Sequence, residues 1–356
     1  MTSWAMKAWV VIVPTALAPS AALAQAQPHH GTLVTDTVVS AGLAGNVVGA
    51  SSHRAVVAYL PPSYETDRAR RYPVLYMLHG ATSVPEEWLD GTTYQGLDLR
   101  VALDSLIAAR AIPELIVAIP NSDIELGSQW YANSPVLGNW EDFIVRDVVG
   151  FVDRRYRTVA RRDGRALFGH SMGGFGVLAI GFKHPERFGF VYASSPSRVA
   201  FTGSIAPSAA TWDSLPRLKR WQDGSYDLRL AIGLAAAFDG SRTDPRLFTE
   251  LPFGTAFGEA VRARSRERWL ASMPLELASA MVRRGDHPPT ILIEAGSEET
   301  AIQDATRLLR ARLDSLGVRY ADSTFEGGHI DRVRERIVGH MLPAVGRWLG
   351  SGAWSQ

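Results

Sequence analysis

A serine flanked by glycines carries the clearest chemical signal in this sequence. Ser171 is the central residue of the segment 169–173, which reads GHSMG and matches the G-x-S-x-G pattern of nucleophilic serines. An apolar run at 166–168 precedes it and a helical apolar run at 175–182 follows it. Glycines two residues away on each side remove side chains that would collide on a tight strand-to-helix turn. We therefore predict that Ser171 is exposed at the start of a helix and acts as a nucleophile.

A serine hydroxyl needs a base to take its proton, and that base is usually a histidine oriented by a carboxylate. The chain has nine histidines, and His329 alone directly follows a predicted strand on a glycine-rich turn. Sites in open parallel sheets form beyond the carboxyl ends of the strands, which favours His329 as the base. His79 and His170 flank the predicted site, but both come before Ser171, whereas the expected order is serine, acid, histidine.

Three carboxylates are candidates for the acid that orients His329. Glu298 and Glu299 lie directly after the predicted strand 290–295, and Asp304 lies a turn further along the chain. Position alone favours Glu299. The alternative is that these carboxylates only stabilise the N-terminus of the following helix, where negative charge is favourable.

Two backbone N–H groups are needed to stabilise the oxyanion that forms when a serine attacks a carbonyl. We predict that one is the N–H of Met172, directly after the nucleophile. The other is the N–H of Ala81, in the loop after the third strand. Because a histidine serves as the base, this chemistry needs neither a metal nor an organic cofactor.

These side chains must be positioned by alternating strands and helices. Continuously apolar runs predict strands buried on both faces, while 32–40 alternates and is predicted to pair antiparallel with 54–60. The predicted strands are 32–40, 54–60, 73–78, 115–119, 166–168, 188–193, 290–295 and 318–325, and the predicted helices include 97–109, 140–156 and 302–316. This alternation predicts an α/β fold with a mostly parallel, twisted sheet and helices on both faces.

The chain is predicted to hold one domain behind a removable leader. Residues 1–24 combine a basic residue, an apolar run and the small-residue sequence Ala22-Leu23-Ala24, as in a secretory signal peptide. Residues 25–356 then form a single domain, in which 196–285 breaks the strand–helix rhythm and is predicted to be a cap-like insertion over the site. After cleavage we expect a soluble protein, secreted or periplasmic, with no stable membrane insertion.

Composition excludes several kinds of function. The 37 basic and 36 acidic residues leave a net charge of +1, with no basic stripe that would favour nucleic acid. The absence of cysteine excludes disulfides, thiolate metal sites and cysteine nucleophiles. The expected partner is therefore a small molecule rather than a nucleic acid.

Several motifs together resemble those of a known enzyme family. They are Leu78-His79-Gly80, Trp88, the segments 168–176 (FGHSMGGFG) and 183–188 (KHPERF), and Gly327-Gly328-His329. This set is similar to the esterase D-type branch of the α/β hydrolases, which includes feruloyl and other carbohydrate esterases, S-formylglutathione hydrolase, enterochelin esterase and the antigen 85 mycolyltransferases. The resemblance covers about residues 50–349 and is weak over 196–285.

The resemblance implies roles for three residues. It implies Ser171 as the nucleophile and His329 as the base. Glu299 falls on the acid position, where the family usually has aspartate, so the extra methylene of glutamate must be accommodated.

The resemblance also implies where the substrate binds. The loop 129–133 falls where the family shapes its acyl or alcohol pocket, so Trp130 and Tyr131 are expected to line it. His170, which flanks the nucleophile, is a third pocket candidate. The tryptophans at 130, 212, 221 and 269 either line an aromatic acyl site or belong to the core.

These observations predict a secreted serine carboxylesterase that forms an acyl-enzyme and acts on a small-molecule or carbohydrate-linked ester. Feruloyl, acetyl-sugar, peptide-linked siderophore and synthetic polyester substrates all stay open. One alternative is an acyltransferase of the antigen 85 type, in which a sugar or lipid alcohol replaces water. Another is a catalytically silent hydrolase fold used for binding, which the presence of both Ser171 and His329 disfavours.

Overall fold

The computed structural model describes residues 30–200, 209–243, 246–249 and 258–351. The predicted signal peptide, residues 1–24, lies outside these ranges. Over the described residues, the main sheet contains eight strands. They are β1 (Thr32–Val39), β2 (His53–Leu60), β3 (Val74–Leu78), β4 (Ile116–Pro120), β5 (Arg165–His170), β6 (Phe190–Ser194), β7 (Thr290–Gly296) and β8 (Ala321–Phe325).

The strand order in this sheet is β1-β2-β4-β3-β5-β6-β7-β8. Strand β2 runs antiparallel to β1 and β4, and the other neighbouring pairs are parallel. The predictions of an antiparallel pair at the start and of a mostly parallel sheet are therefore confirmed. Strands β3 to β6 are buried along their whole length, which explains why their sequences are predominantly apolar.

Helices alternate with these strands along the chain. The longer ones, where the structure describes them, are α1 (Leu99–Ala108), α2 (Trp140–Asp142, continued by a π-helical segment Phe143–Val148 and by Val149–Arg155), α3 (Met172–Lys183), α4 (Ala209–Ser214), α5 (Tyr226–Asp239), α6 (Glu259–Ser272), α7 (Pro274–Arg283), α8 (Thr300–Ser315) and α9 (Val333–Glu335, a π-helical segment Arg336–Met341, and Leu342–Gly350). A short helical turn, Thr93–Gly96, precedes α1, and a short hairpin joins Asn133–Ser134 to Gly138–Asn139.

The helices cover both faces of the sheet, as predicted. Tyr76 and Leu78 of β3 belong to one buried cluster, and the alternating residues Leu75 and Met77 belong to the other. Helices α2, α3, α7 and α8 contribute to the first cluster, and α1 and α9 contribute to the second. Residues 172–182 of α3 are all buried, so the helix that follows Ser171 lies at the centre of the molecule.

The eighth strand is shorter than predicted. Gly317 follows α8 in a left-handed conformation, with φ at 67°, and the Val318 N–H donates to the Leu313 carbonyl. This is how many helices end, and it keeps residues 318–320 out of the sheet. The strand therefore begins at Ala321, which pairs with Leu292 of β7.

Where the structure describes it, the segment between β6 and β7 contains helices α4 to α7, joined by turns and one isolated bridge between Gly240 and Thr249. Trp212, Trp221 and Trp269 in this segment are buried in the core. Of the two possibilities raised for these three tryptophans, the core is therefore the one observed. Helix α5 presents Tyr226 and Leu230 to the cleft beside Ser171, so the segment supplies part of the wall of the site.

Candidate active site

Ser171 lies on a strained turn between β5 and α3. Its backbone has φ 60° and ψ −117°, outside the conformations that a serine ordinarily adopts. A Cβ atom added to Gly169 would overlap the Gly173 carbonyl, and one added to Gly173 would overlap the Leu78 carbonyl. The glycines of the G-x-S-x-G pattern are therefore required by close backbone contacts on both sides of the serine.

The Ser171 hydroxyl meets an imidazole. The distance from Ser171 Oγ to His329 Nε2 is 2.8 Å, and the distance from His329 Nδ1 to Glu299 Oε1 is 2.5 Å. Glu299 is a carboxylate and only accepts, so His329 donates its Nδ1–H to it and leaves Nε2 free to accept the serine proton. Three side chains from three separate loops are thus joined in the order needed for proton transfer.

The Glu299 carboxylate is fully engaged. Its Oε2 atom accepts hydrogen bonds from Ser195 Oγ at 2.8 Å and from the Gly296 N–H at 2.5 Å. Burial by itself would raise the pKa of Glu299, but the hydrogen bonds from His329, Gly296 and Ser195 outweigh it and lower the pKa below its ordinary value. The carboxylate therefore stays ionised beside His329 near neutral pH.

The structure places Glu299, and neither of the other candidate acids, against His329. Glu298 is exposed on the same turn. Asp304 lies in α8, where it is half exposed and forms an ion pair with Arg307 over 3.4 Å. Glu298 and Glu299 are adjacent on one turn, yet Glu298 is exposed while Glu299 is buried against His329. Position in the sequence alone does not show this difference.

Two backbone N–H groups lie beside the serine. Met172 opens α3, so its N–H has no acceptor within the helix. Ala81 follows β3, whose Leu78 pairs with Gly169 of β5, and a Cβ atom added to Gly80 would lie 3.4 Å from the Ser171 Cβ. The Ala81 loop therefore passes close beside the serine, and Ala81 and Met172 both line the same cavity.

His79 supports this loop from inside the protein. It is fully buried, and its Nε2 atom accepts from the Ser122 N–H at 2.9 Å, while its Nδ1 atom lies 2.9 Å from the Gly80 carbonyl. Burial lowers the pKa of His79 to about 4. The imidazole is therefore neutral, donates from Nδ1 and holds the residues before Ala81 in place.

Tyr131 does not line the cavity, in contrast to the expectation from the sequence. It is 1% exposed, and its hydroxyl donates to the His79 carbonyl at 2.9 Å. Trp130 and Tyr131 both have left-handed backbones, with φ of 57° and 50°, and this turn directs the two rings to different places. Trp130 lies in the cavity wall and Tyr131 lies in the core beneath the His79 loop.

His170 lies in the cavity wall beside His329. Its ring centroid is 4.9 Å from that of His329, with an interplanar angle of 36°. Burial first, and then the proximity of His329 and Arg336, lower its pKa well below the ordinary histidine value. His170 is therefore neutral and presents a flat, uncharged surface to His329.

A cleft of about 750 Å³ opens over Ser171. Besides the residues already named, its walls include side chains that the sequence did not single out: some directly follow Ala81 or His329, and others lie on helices that are distant in the sequence. They are Thr82, Ser83, Tyr94, Ser197, Arg198, Asp227, Leu234, Ala301, Ile302 and Ile330. Ile330 and Tyr226 place apolar surface at the mouth, where both side chains are more than half exposed.

Two kinds of feature are absent from the described residues. They contain no group of three or more histidine, aspartate or glutamate side chains arranged to hold a metal ion. None of their helices is both long enough and apolar enough to cross a bilayer.

The strand order and the helices on both faces define an α/β-hydrolase fold, with Ser171, His329 and Glu299 meeting at its carboxyl edge. The chain belongs to the Esterase family, whose model matches residues 50–332. The resemblance to the esterase D-type branch is thereby confirmed.

Relatives with known names fit this assignment. Esterase Rv1288 of Mycobacterium tuberculosis is 28% identical over 283 residues, which are 77% of this chain and 52% of that protein. The chain thus spans about half the length of that relative. Mouse (Mus musculus) S-formylglutathione hydrolase is 26% identical over 203 residues, 52% of this chain and 65% of that protein.

Solved structures show the same fold at lower identity. A ferulic acid esterase superposes with a TM-score of 0.63 at 20% identity and covers 90% of this chain and 98% of its own. S-formylglutathione hydrolase from Staphylococcus aureus gives a TM-score of 0.54 at 15% identity and covers 91% of this chain and 98% of its own.

Proposed function

We propose that this protein hydrolyses carboxylic esters through a covalent acyl-enzyme, with Ser171 as nucleophile, His329 as base and Glu299 as the acid that orients His329. The observation that supports this most strongly is the unbroken hydrogen-bonded line from Ser171 Oγ through His329 to Glu299, at 2.8 Å and 2.5 Å. Membership of the Esterase family supports the reaction class.

The first half of the proposed reaction forms the acyl-enzyme. Ser171 Oγ attacks the ester carbonyl carbon while its proton passes to His329 Nε2. The carbonyl oxygen becomes an oxyanion, which the N–H groups of Ala81 and Met172 stabilise. His329 then gives the proton to the alkoxy oxygen, the carbon–oxygen bond to the alcohol breaks, and the alcohol leaves.

The second half releases the acid. A water molecule loses a proton to His329 Nε2 and attacks the acyl carbon, and the same two N–H groups receive the oxyanion. Collapse of this intermediate returns the proton to Ser171 Oγ and frees the carboxylic acid. Glu299 stays ionised throughout and stabilises the imidazolium form of His329, as the equivalent acid does in other serine triads.

The cleft supports a small-molecule or carbohydrate-linked ester as the substrate. Trp130, Tyr94 and Tyr226 supply flat aromatic surface around Ser171, which suits an unsaturated or aromatic acyl group. Structures with the same fold include a ferulic acid esterase from Anaeromyces mucronatus in complex with ferulic acid and a feruloyl esterase module complexed with sinapinate. We propose that hydroxycinnamate esters are among the substrates.

Substitution of Ser171 by alanine tests the mechanism. We expect p-nitrophenyl acetate turnover by Ser171→Ala to fall by about 10⁶-fold, since the triad members act as a unit. Wild type should show a burst of nitrophenol as the acyl-enzyme accumulates. Turnover that survives the substitution would falsify the mechanism. Separately, a panel of aryl, short-chain and sugar esters tested on the wild-type protein would define its substrate.

The proposal extends to where the protein acts. Residues 1–24 have the composition of a signal peptide, and we propose that cleavage before Gln25 releases a single-domain protein, with 196–285 as a cap-like insertion, outside the cytoplasm. Amino-terminal sequencing of protein recovered from the periplasm or medium should begin at Gln25. Recovery of the chain in the cytoplasm with Met1 still attached would contradict export.

A further inference from the structure

A buried charged network lies directly behind the proposed acid and takes no part in the steps above. Arg336 and Glu294 are 2% and 3% exposed, and Arg336 Nε donates to Glu294 Oε1 over 2.9 Å. Burial of an ion pair is a weak source of stability, because desolvation of the two charges offsets their attraction. The position of the pair next to the site is therefore the feature that needs an explanation.

Glu294 and Phe325 fix the arginine from two sides. Glu294 also accepts hydrogen bonds from the Tyr192 hydroxyl at 2.7 Å and the Ser194 hydroxyl at 2.8 Å, so both its oxygens are engaged. The guanidinium of Arg336 stacks on the Phe325 ring, with its Cζ atom 3.7 Å from the ring centroid. The remaining end of the guanidinium is thereby directed at the carboxyl end of β6.

That end of the guanidinium meets Ser195. Arg336 Nη2 donates to Ser194 Oγ and, over 3.0 Å, to Ser195 Oγ. Because arginine can only donate, Ser195 Oγ is the acceptor here, and its own proton must point elsewhere. Its other partner is Glu299 Oε2 at 2.8 Å, which can only accept. Arg336 therefore sets the direction in which the Ser195 hydroxyl donates.

Ser195 in turn orients the carboxylate. With the Ser195 hydroxyl and the Gly296 N–H both on Oε2 of Glu299, the Oε1 atom is left for His329 Nδ1. We propose that Arg336 and Ser195 are positioning residues for Glu299, and that the buried Arg336–Glu294 pair holds the acid in the orientation that the base requires.

The same arginine also holds the loop that carries the base. Arg336 Nη1 donates to the Asp331 carbonyl over 3.4 Å, and the Asp331 carboxylate accepts from the Gly328 N–H at 2.7 Å. His329 lies between these two residues in the sequence. One side chain thus contacts both the support of Glu299 and the segment that presents His329, which couples the two members of the site.

The inference rests on the proposed function, and a paired substitution tests it. Glu294→Gln together with Arg336→Met removes both charges, so neither is left buried and unpaired, and it removes the donor to Ser195. We expect kcat to fall about 10- to 100-fold from the displaced acid, with KM within about twofold of wild type, because the cleft is untouched. A kcat within about twofold of wild type would overturn the inference.

An arginine–aspartate pair at the amino end of β5 supplies the control. Arg165 Nη2 lies 2.6 Å from Asp153 Oδ2, and Arg165 is buried at the amino edge of the sheet. The variant Asp153→Asn/Arg165→Met removes a largely buried ion pair far from the cleft, and its kcat should equal that of wild type. An equal loss of kcat in both double variants would show that the Arg336 network acts only through general stability, and would also overturn the inference.

Ser195→Ala serves if the double variant fails to fold, because it removes a single hydroxyl. We expect its kcat to fall about 10-fold, and the far-downfield proton resonance of the His329–Glu299 hydrogen bond to shift or broaden. An unchanged resonance and kcat would overturn the inference. The resonance needs no substrate, so it judges the positioning of Glu299 even if Ser171→Ala shows that the proposed reaction is wrong.

Discussion

Helix α3 has a histidine–glutamate pair at each end, and the two pairs differ in their surroundings. At its start, His329 bonds to Glu299 over 2.5 Å, beside Ser171. Just past its end, His184 bonds to Glu141 over 2.8 Å. Burial by itself would raise the pKa of both carboxylates, but the hydrogen bonds that each one accepts outweigh it and lower the pKa. The pairing alone therefore does not distinguish a candidate site from a structural contact.

The difference lies on the second nitrogen of each imidazole. For His329 it faces the Ser171 hydroxyl at 2.8 Å, whereas for His184 it faces the Glu186 carboxylate at 3.7 Å. A histidine that transfers a proton needs a hydroxyl donor at one ring nitrogen and a carboxylate at the other, whereas His184 has carboxylates at both. The helix adds to the contrast, since its N-terminus favours an oxyanion and its C-terminus favours a cation.

The largest expected difference is between substitutions of the two histidines, in their effect on kcat. His329→Ala should lower kcat by about 10⁴- to 10⁶-fold, because it removes the proposed base. His184→Ala should leave kcat unchanged and lower the free energy of unfolding by about 1 kcal/mol through the lost hydrogen bond to Glu141. Steady-state kinetics and urea unfolding of both variants measure this. A comparable loss of kcat in His184→Ala would mean that the contrast drawn between the two ends is wrong.

Substitutions of the two carboxylates, Glu299 and Glu141, should differ almost as widely in their effect on kcat. Glu299→Gln should lower kcat by about 10³- to 10⁴-fold, since an amide neither fixes the imidazole tautomer nor stabilises its cation. Glu141→Gln should lower the free energy of unfolding by about 1–2 kcal/mol and leave kcat at the wild-type value, because only Lys183 and His184 lose a partner. If Glu299→Gln retains full activity, Glu298 or Asp304 would have to be reconsidered as the acid.

A smaller effect, on stability, distinguishes by pH the buried imidazoles near Ser171 from the two carboxylates. The folded-state pKa of His79, about 4, is below its unfolded value of 6.5. The unfolded chain therefore binds the proton first, and stability is lost as pH falls from 6.5 toward 4, by about 3 kcal/mol for His79 alone. His170 contributes in the same direction. Glu141 and Glu299 contribute only at lower pH, as it falls through their depressed folded-state pKa values.

Urea unfolding at several pH values between neutral and mildly acid would measure this loss, and His79→Gln should flatten the curve because it removes one of the two buried imidazoles. A free energy of unfolding that stays constant over this interval would show that the imidazoles are not neutral in the folded state.

The parts of the site that could be predicted are those set by local sequence. The turn at Ser171 follows from glycines that the backbone requires within two residues, and β3 and β5 follow from their apolar runs. The position of His329 follows from β8, which ends where predicted although it starts late.

The rest depends on side-chain direction, which a single sequence does not encode. Glu298 and Glu299 differ by one residue on a turn, and only one of them faces His329. Tyr131 was misplaced because two consecutive left-handed residues turn its ring into the core. Arg336 reaches Ser195 across 141 residues of sequence, a contact that no local pattern signals.

The exposed ring of Tyr226 at the mouth of the cleft has a practical consequence. The chain contains no cysteine, so Tyr226→Cys would introduce a unique thiol at a solvent-facing point, 51% accessible in the parent residue. A fluorophore attached there would sit over the entrance, and its emission would report each arrival and departure of a bound molecule without a chromogenic leaving group.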